Sequence, residues 1–136
     1  MKVLVVYEST RGRTKAMADA ICEGVKAAGA TCEVLEAKSF GGMSDVCALA
    51  VGSSTRMKRP LPKVKQILGE LPDLGGKPAA AFGSYGWSGE APDEIAKSLS
   101  DHGGKIEGQP IRAKDFPSET VLEQCRELGN KLAASC

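Results

Sequence analysis

The feature that most constrains this chain is an alternation sustained along most of its length. Short apolar runs suited to buried strands are separated by amphipathic stretches of helical period. Lys2 to Val6 is apolar on consecutive residues, and Val46 to Val51 and Pro78 to Phe82 repeat the pattern. Strands of that kind are covered on both faces. Between them, Thr14 to Ala28 sets Met17, Ile21 and Val25 on one helical face, and Gly29 stops it. Pro62 to Leu71 carries Val64, Ile67, Leu68 and Leu71 on one face, closed by Pro72 and Gly75-Gly76. Glu90 to Asp101 reads as a third helix, with Pro92 in its first turn, where the missing N–H does no harm, and Gly103-Gly104 after it. Thr120 to Ala133 reads as a fourth, opening on a Thr120–Glu123 capping box and burying Val121, Cys125, Leu128 and Leu132. Thr31 to Leu35 and Lys105 to Ala113 supply the other strands, the latter interrupted near Gly108. Residues 37 to 45 contain Gly41-Gly42 and leave room for one helical turn at most.

Alternating strands and helices call for a parallel sheet with helices on both faces. The expected class is therefore α/β, a doubly wound sandwich around a five-stranded parallel sheet. With 136 residues and no linker, repeat or low-complexity segment, one domain, 1–136, is the simple reading.

Composition narrows the function. Hydrophobic residues are 42% and charged residues 26%, as in soluble globular proteins. No stretch approaches the roughly 20 apolar residues of a membrane helix. Val3 to Val6 is too short for a signal-peptide core, and Glu8 and Arg11 follow it, so a cytoplasmic protein without membrane insertion is expected. The formal charge is +1, with no long basic run and little aromatic interleaving, which argues against a nucleic-acid partner. The five cysteines, Cys22, Cys32, Cys47, Cys125 and Cys136, form no CxxC, so no metal or dithiol site is expected. Cys22 and Cys125 fall on apolar helix faces and Cys47 opens a strand, which reads as buried reduced thiols, with Cys136 exposed.

Ligands of an open parallel sheet bind beyond the carboxyl ends of its strands, where strand order reverses. That rule selects Glu8 to Arg13, Ser53 to Arg59 and Gly83 to Gly89. The first holds Ser9, Thr10 and Gly12 just before a helix start that also carries Thr14. A helix start with hydroxyls beside it suits a phosphate, because amides and dipole both point at the anion. The loop is neither a Walker A nor a GxGxxG motif. The same residue types would also serve an ordinary capped helix. The third segment, Gly83-Ser84-Tyr85-Gly86-Trp87-Ser88-Gly89-Glu90, holds the single tryptophan and one of two tyrosines, although aromatics are only 4% of the chain. A flat aromatic ligand accounts for both: Trp87 or Tyr85 stacks on it while the glycines admit backbone amides to its edge. The alternative is that Trp87 packs over the sheet end as a plug.

These segments resemble a known family. Ser9-Thr10-Arg11-Gly12-Arg13-Thr14 is similar to the flavodoxin phosphate loop, Ser/Thr-x-x-Gly-x-Thr directly after the first strand. Gly83 to Glu90 resembles the flavin-ring loop, above all the Gly-Ser-Tyr-Gly-Trp stretch in the flavodoxin domain of flavodiiron proteins. Gly52-Ser53-Ser54-Thr55 stands where the family has its middle flavin loop. The resemblance covers essentially the whole chain and is to the short-chain type. It implies a flavodoxin-like sheet of order 2-1-3-4-5, flavin mononucleotide (FMN) as cofactor, and electron transfer between redox proteins by a monomer. It assigns the phosphate to Ser9, Thr10, Gly12 and Thr14, with Arg11 and Arg13 beside them among the expected cofactor-binding residues. It assigns the ring and its side chain to Ser53, Ser54, Thr55 and Arg56 on one side and to Gly83, Ser84, Tyr85, Gly86, Trp87 and Gly89 on the other.

Two departures carry expectations of their own. The family is usually strongly acidic, whereas here Arg11 and Arg13 flank the phosphate position and Arg56, Lys58 and Arg59 make the middle loop basic. Cations beside the ring should ease its second reduction and favour a partner with an acidic docking face. The middle loop also lacks the tryptophan that many members stack on the flavin, and offers Met57. No catalytic residue or metal ligand stands out. Glu90 begins a helix and His102 ends one, as the macrodipole favours. An electron carrier is therefore preferred to a stand-alone enzyme. The alternatives are a flavin-dependent NAD(P)H or quinone oxidoreductase, and a flavin-free interaction module. A signalling receiver domain is set aside, because Gly52-Ser53-Ser54 stands where its phosphorylatable Asp would be.

Overall fold

Val3 to Val6 form the centre of strand β1 (Lys2–Glu8), and all four are fully buried. Burial on both faces is why their sequence is apolar without alternation. The computed structural model describes all residues except Met57 and Lys58. In it, β1 lies parallel between β2 (Cys32–Glu36) and β3 (Val46–Arg56). β5 (Pro78–Tyr85) pairs parallel with β3, and β6 (Lys105–Ile106) with β5. The order is β2-β1-β3-β5-β6. β7 (Ile111–Lys114) takes up the same edge of β5 after the break at Gly108, and β4 (Arg59–Pro60) folds back antiparallel on the end of β3. With β6 and β7 read as one interrupted strand and β4 as a side hairpin, this is the expected 2-1-3-4-5 order.

Among the described residues, four helices cover the sheet: α1 (Arg13–Ala27), α2 (Pro62–Glu70), α3 (Ala91–Asp101) and α4 (Glu119–Ala133). Alternate strand residues feed opposite cores. Val3, Val5, Ala48, Ala50 and Phe82 pack with Met17, Ile21, Cys125 and Leu132 of α1 and α4. Leu4, Val6, Leu49 and Val51 pack with Val64, Leu68, Ile95 and Leu99 of α2 and α3. α1 and α4 cross backbone to backbone: a side chain on Gly24 would strike the backbone of Arg126, and one on Gly129 that of Ile21. Among the described residues, no helix is long and apolar enough to cross a membrane.

The strands run further than their apolar cores. β3 continues through Ser53–Arg56 and β5 through Gly83–Tyr85, segments expected as loops, because each finds ladder partners there: Glu8 with Ser53, Ser54 with Ser84, and Thr55 with Pro60. Residues 37–45 hold a single 3-10 turn, Ala37–Ser39. α4 begins earlier than the expected capping box. Ser118 caps it, its hydroxyl accepting from the Val121 N–H at 3.3 Å, while Glu123 turns to Arg126 at 2.8 Å. His102 ends α3, its Nδ1 lying 2.8 Å from the Ser98 carbonyl oxygen.

The cysteines depart from the expectation of reduced thiols. Cys22 is bonded to Cys32 and Cys47 to Cys136, with Cα atoms 5.6 Å apart in both pairs. Cys125 alone is a free, buried thiol, and burial pushes its pKa up to about 12. Pairing across 10 and 89 residues leaves no local spacing for a sequence reading to find. Cys32 and Cys47 lie at the amino ends of β2 and β3, so both bridges sit at the opposite edge of the sheet from the candidate loops.

Loop-closure entropy makes the longer bridge the more stabilising. Cys136→Ser opens an 89-residue loop and is expected to cost about 4–5 kcal/mol, against about 3 kcal/mol for Cys32→Ser and its 10-residue loop. Urea unfolding without reductant measures both. Unfolding curves that coincide with and without dithiothreitol would show that neither bridge contributes.

Candidate functional site

The carboxyl ends of β1, β3 and β5 meet at three hydroxyls. Thr14 Oγ1, in the first turn of α1, lies 2.8 Å from Ser84 Oγ on β5 and 3.2 Å from Ser54 Oγ on β3. The two serines are 3.5 Å apart. Thr14 is fully buried and Ser84 nearly so, so each hydroxyl needs a partner, and the cluster supplies it. Beside it, buried Ser53 donates to the Ser54 carbonyl and accepts from the Leu61 N–H, both at 2.8 Å. The second bond fixes the turn from β4 into α2.

The helix starts around this cluster are treated unequally. The Glu8 carboxylate accepts from the Val64 N–H in the first turn of α2 at 2.9 Å. Thr55 Oγ1 accepts from the Ala91 N–H at the start of α3 at 3.2 Å. Ser118 serves α4. α1 has Gly12 as its N-cap, at φ 80°, and no acidic residue in its first turn. Among the described residues no side chain accepts from the N–H groups of Arg13, Thr14 or Lys15. Ser9 Oγ accepts from the Gly12 N–H at 2.9 Å and closes the turn in front of them. The positive end of α1 is thus left open, next to the Thr10 hydroxyl and the Arg11 guanidinium.

That end looks into a cleft of about 440 Å³. Thr10, Arg11 and Arg13 line one side, Ser54 and Thr55 the middle, and Ser84, Tyr85, Gly86 and Trp87 the other. The three candidate segments therefore converge. Trp87 is 92% exposed, which excludes the plug over the sheet end. Its loop is nevertheless pinned at both ends. Arg112 on β7 donates to both carboxylate oxygens of Asp93 at 2.6 and 3.1 Å, and to the Gly89 carbonyl at 3.1 Å. Those bonds hold the Asp93 carboxyl below its ordinary pKa. The Asp115 N–H donates to the Tyr85 carbonyl at 2.7 Å, and Gly89 passes so close beneath the Tyr85 ring that a Cβ there would lie 2.9 Å from it.

The other expected site residues lie around the cleft rather than on its wall. Thr14, Ser53 and Gly83 are buried beneath it. Ser9 borders a neighbouring cavity with Tyr7, Glu36 and Lys63. Arg56 lines a separate groove with Arg59. Gly12 shapes the turn and Gly89 supports Tyr85. Arg13 is partly drawn away, its guanidinium 3.5 Å from Asp115. Met57 and Lys58, read as part of the middle loop, lie outside the described residues. Glu8, Asp93, Arg112 and Asp115 were missed, since each acts on a partner far away in sequence: Arg112 is 19 residues from Asp93 and Asp115 is 102 from Arg13.

The family model for flavodoxin matches residues 5–129. A putative diflavin flavoprotein A 2 of Thermosynechococcus vestitus is 35% identical over 97% of this chain and 24% of its own length. The anaerobic nitric oxide reductase flavorubredoxin of Aeromonas hydrophila is 34% identical over 97% of this chain and 28% of its own. The chain thus spans about a quarter of the length of the curated relatives it matches. Among solved structures, a flavodoxin from the domain Archaea superposes with a TM-score of 0.93 at 36% identity, over 98% of this chain and 97% of that one. The rubredoxin:oxygen oxidoreductase of Desulfovibrio gigas gives 0.90 at 30%, over 98% of this chain and 35% of that one.

The hydroxyl cluster yields a direct test. Thr14→Val keeps the shape and strips Ser84 and Ser54 of their shared partner, at a cost of about 1–3 kcal/mol. Urea unfolding of the variant measures it. A cost near zero would show that the cluster does not hold the strand ends together.

Proposed function

The chain belongs to the flavodoxin family, and from that premise we propose that it binds FMN in the cleft at the carboxyl edge of its sheet and carries electrons between redox proteins. The observation that carries the reading is the uncapped start of α1. A phosphate would complete it, accepting from the amides of Arg13, Thr14 and Lys15 and from the hydroxyls of Ser9 and Thr10, with Arg11 as counter-charge. Thr14 would act through its amide, because its hydroxyl is already engaged with Ser84 and Ser54. Ser54 and Thr55 would border the ring on one side. Ser84 to Trp87 would border it on the other, with the exposed indole free to stack. The donor set fits the group: hydroxyls and open amides at the phosphate end, aromatic and glycine surface at the ring end. When bound, FMN supplies reversible one-electron chemistry.

The protein's part is electrostatic. A flavin ring gains negative charge as it is reduced, and the residues around this cleft favour that charge. Among the described residues, neither Arg11 nor Arg56 has a carboxylate within 4.0 Å. The second reduction step is therefore expected at a higher potential than in a strongly acidic flavodoxin. The same surplus of cations suits a redox partner with an acidic face.

Two measurements test this reading. Visible absorption after adding FMN and removing the excess should show flavin bands at about one per chain. A colourless protein would favour the interaction module, and steady NADPH oxidation by the protein alone would favour the oxidoreductase. Arg11→Ala should weaken FMN binding about tenfold or more by removing a charge-assisted contact, and leave riboflavin binding unchanged. Equal losses for both flavins would remove the phosphate from α1.

A further inference from the structure

Beside the FMN cleft, on the outer side of the β3–β4 hairpin, lies a second groove of about 620 Å³. It is lined by Arg56, Arg59, Pro60, Pro62, Lys65 and Gln66, three cations and no carboxylate. Arg56 and Arg59 stand directly opposite each other across the antiparallel ladder. Like charges in that position repel and weaken a strand pair. Some cations of this fold are relieved by neighbours, Arg112 by Asp93, Arg126 by Glu119 and Glu123, and Lys15 by Asp19. Arg56, Arg59 and Lys65 are exposed, and no carboxylate among the described residues lies within 4.0 Å of them. The backbone beneath the groove is also tied down. Pro60 and Pro62 fix the backbone at either side of Leu61, whose N–H is held by Ser53 and whose following helix is held by Glu8.

We infer that this groove is the foothold of the redox partner, and that the partner brings to it a cluster of aspartate or glutamate carboxylates. The inference rests on the electron-carrier reading and assigns the surface that reading leaves open. An uncompensated cation pair is repaid by an incoming anion. A backbone already held by prolines and hydrogen bonds loses little further entropy when the groove is filled. The groove shares Arg56 and the β3 strand end with the middle loop, so a partner seated there lies beside the flavin end of the cleft. Exposed Trp87 and Phe116, 92% and 64% accessible, give the opposite rim an apolar contact. Steering by such a patch acts mainly on the association rate and fades with salt.

The test uses the full FMN-loaded chain and two probe proteins: a strongly acidic [2Fe–2S] ferredoxin and the basic haem protein cytochrome c. Reduced ferredoxin passes one electron to the oxidised FMN-loaded protein, the dithionite-reduced FMN-loaded protein passes one electron to ferric cytochrome c, and stopped-flow absorbance gives each bimolecular rate. The ferredoxin rate should fall about tenfold or more between roughly 20 and 300 mM NaCl, while the cytochrome c rate does not fall. Arg59→Glu combined with Lys65→Glu should slow the ferredoxin about tenfold at low salt and leave it unchanged at high salt. Lys26→Glu with Lys77→Glu places the same charge change at the far edge of the sheet and should have little effect. FMN uptake and chemical reduction by dithionite should be normal in both double variants. Loss of those two properties in the wild type would overturn the carrier reading. A faster cytochrome c, or equal slowing by the two double variants, would overturn the docking site alone. So would a groove that binds inorganic phosphate in calorimetry while the ferredoxin rate ignores Arg59 and Lys65, which would make it a small-anion site.

Discussion

Three hydroxyls hold the working end of this protein together. β1, β3 and β5 are parallel and β1 leads through Ser9–Gly12 into α1, so beyond the backbone ladder no hairpin ties their carboxyl ends to one another. Thr14, Ser54 and Ser84 do so instead, one from each segment, at 2.8 to 3.5 Å. The cluster is buried, where an unpaired hydroxyl costs more than a paired one returns, so it favours one arrangement of the three ends over any other. The cleft above inherits that order. Thr10 and Arg11 are placed by the start of α1, Thr55 by β3, and Tyr85 by β5. A slip of one strand by a residue would break the cluster and move one wall of the cleft.

On that base the fold distributes its helix caps selectively. Glu8 leaves the tip of β1 to satisfy α2, and Thr55 leaves the tip of β3 to satisfy α3. The side chains nearest α1 do not serve it. A carboxylate at Gly12 would have capped α1 and repelled an anion in one step. Glycine at φ 80° does neither, and it allows the chain to turn sharply in front of the amides. Glu8, the one acid in that loop, is occupied with Val64. The open charge at the start of α1 therefore depends as much on where the negative side chains are engaged as on the cations that remain.

The sheet and its helices were legible in the sequence because burial imposes period on side chains. Val3 to Val6, with both neighbours buried, had little choice but to be apolar in a row. The segments around the cleft were legible for a different reason: Ser9 to Thr14 and Gly83 to Gly89 are local motifs, each contiguous in sequence and placed directly after a strand core. What escaped was everything set by meetings between distant segments. Ser53 to Arg56 and Gly83 to Tyr85 are strand by virtue of neighbours, not propensity. Arg112 pins the ring loop only because β7 runs beside β5. The cysteine pairs join α1 to β2 and β3 to the chain end, with no spacing to announce them. Thr120 and Glu123 offered a capping box that the chain does not use, because Ser118 precedes it and Arg126 takes Glu123.

The two edges of the sheet thus face different demands. At the amino edge the bridges of Cys32 and Cys47 fasten strands to the covering layers by covalent bonds, which limit the unfolded chain more than they shape the native one. At the carboxyl edge the fastening is by hydrogen bonds alone, and it stops short of the tips: Tyr85 and Gly89 are held while Trp87 between them is not. A carrier of electrons gains from this division. Fixed dipoles and charges set the energy of the added electron without reorganising, and the few free side chains lie where a flat ligand and a protein surface both arrive.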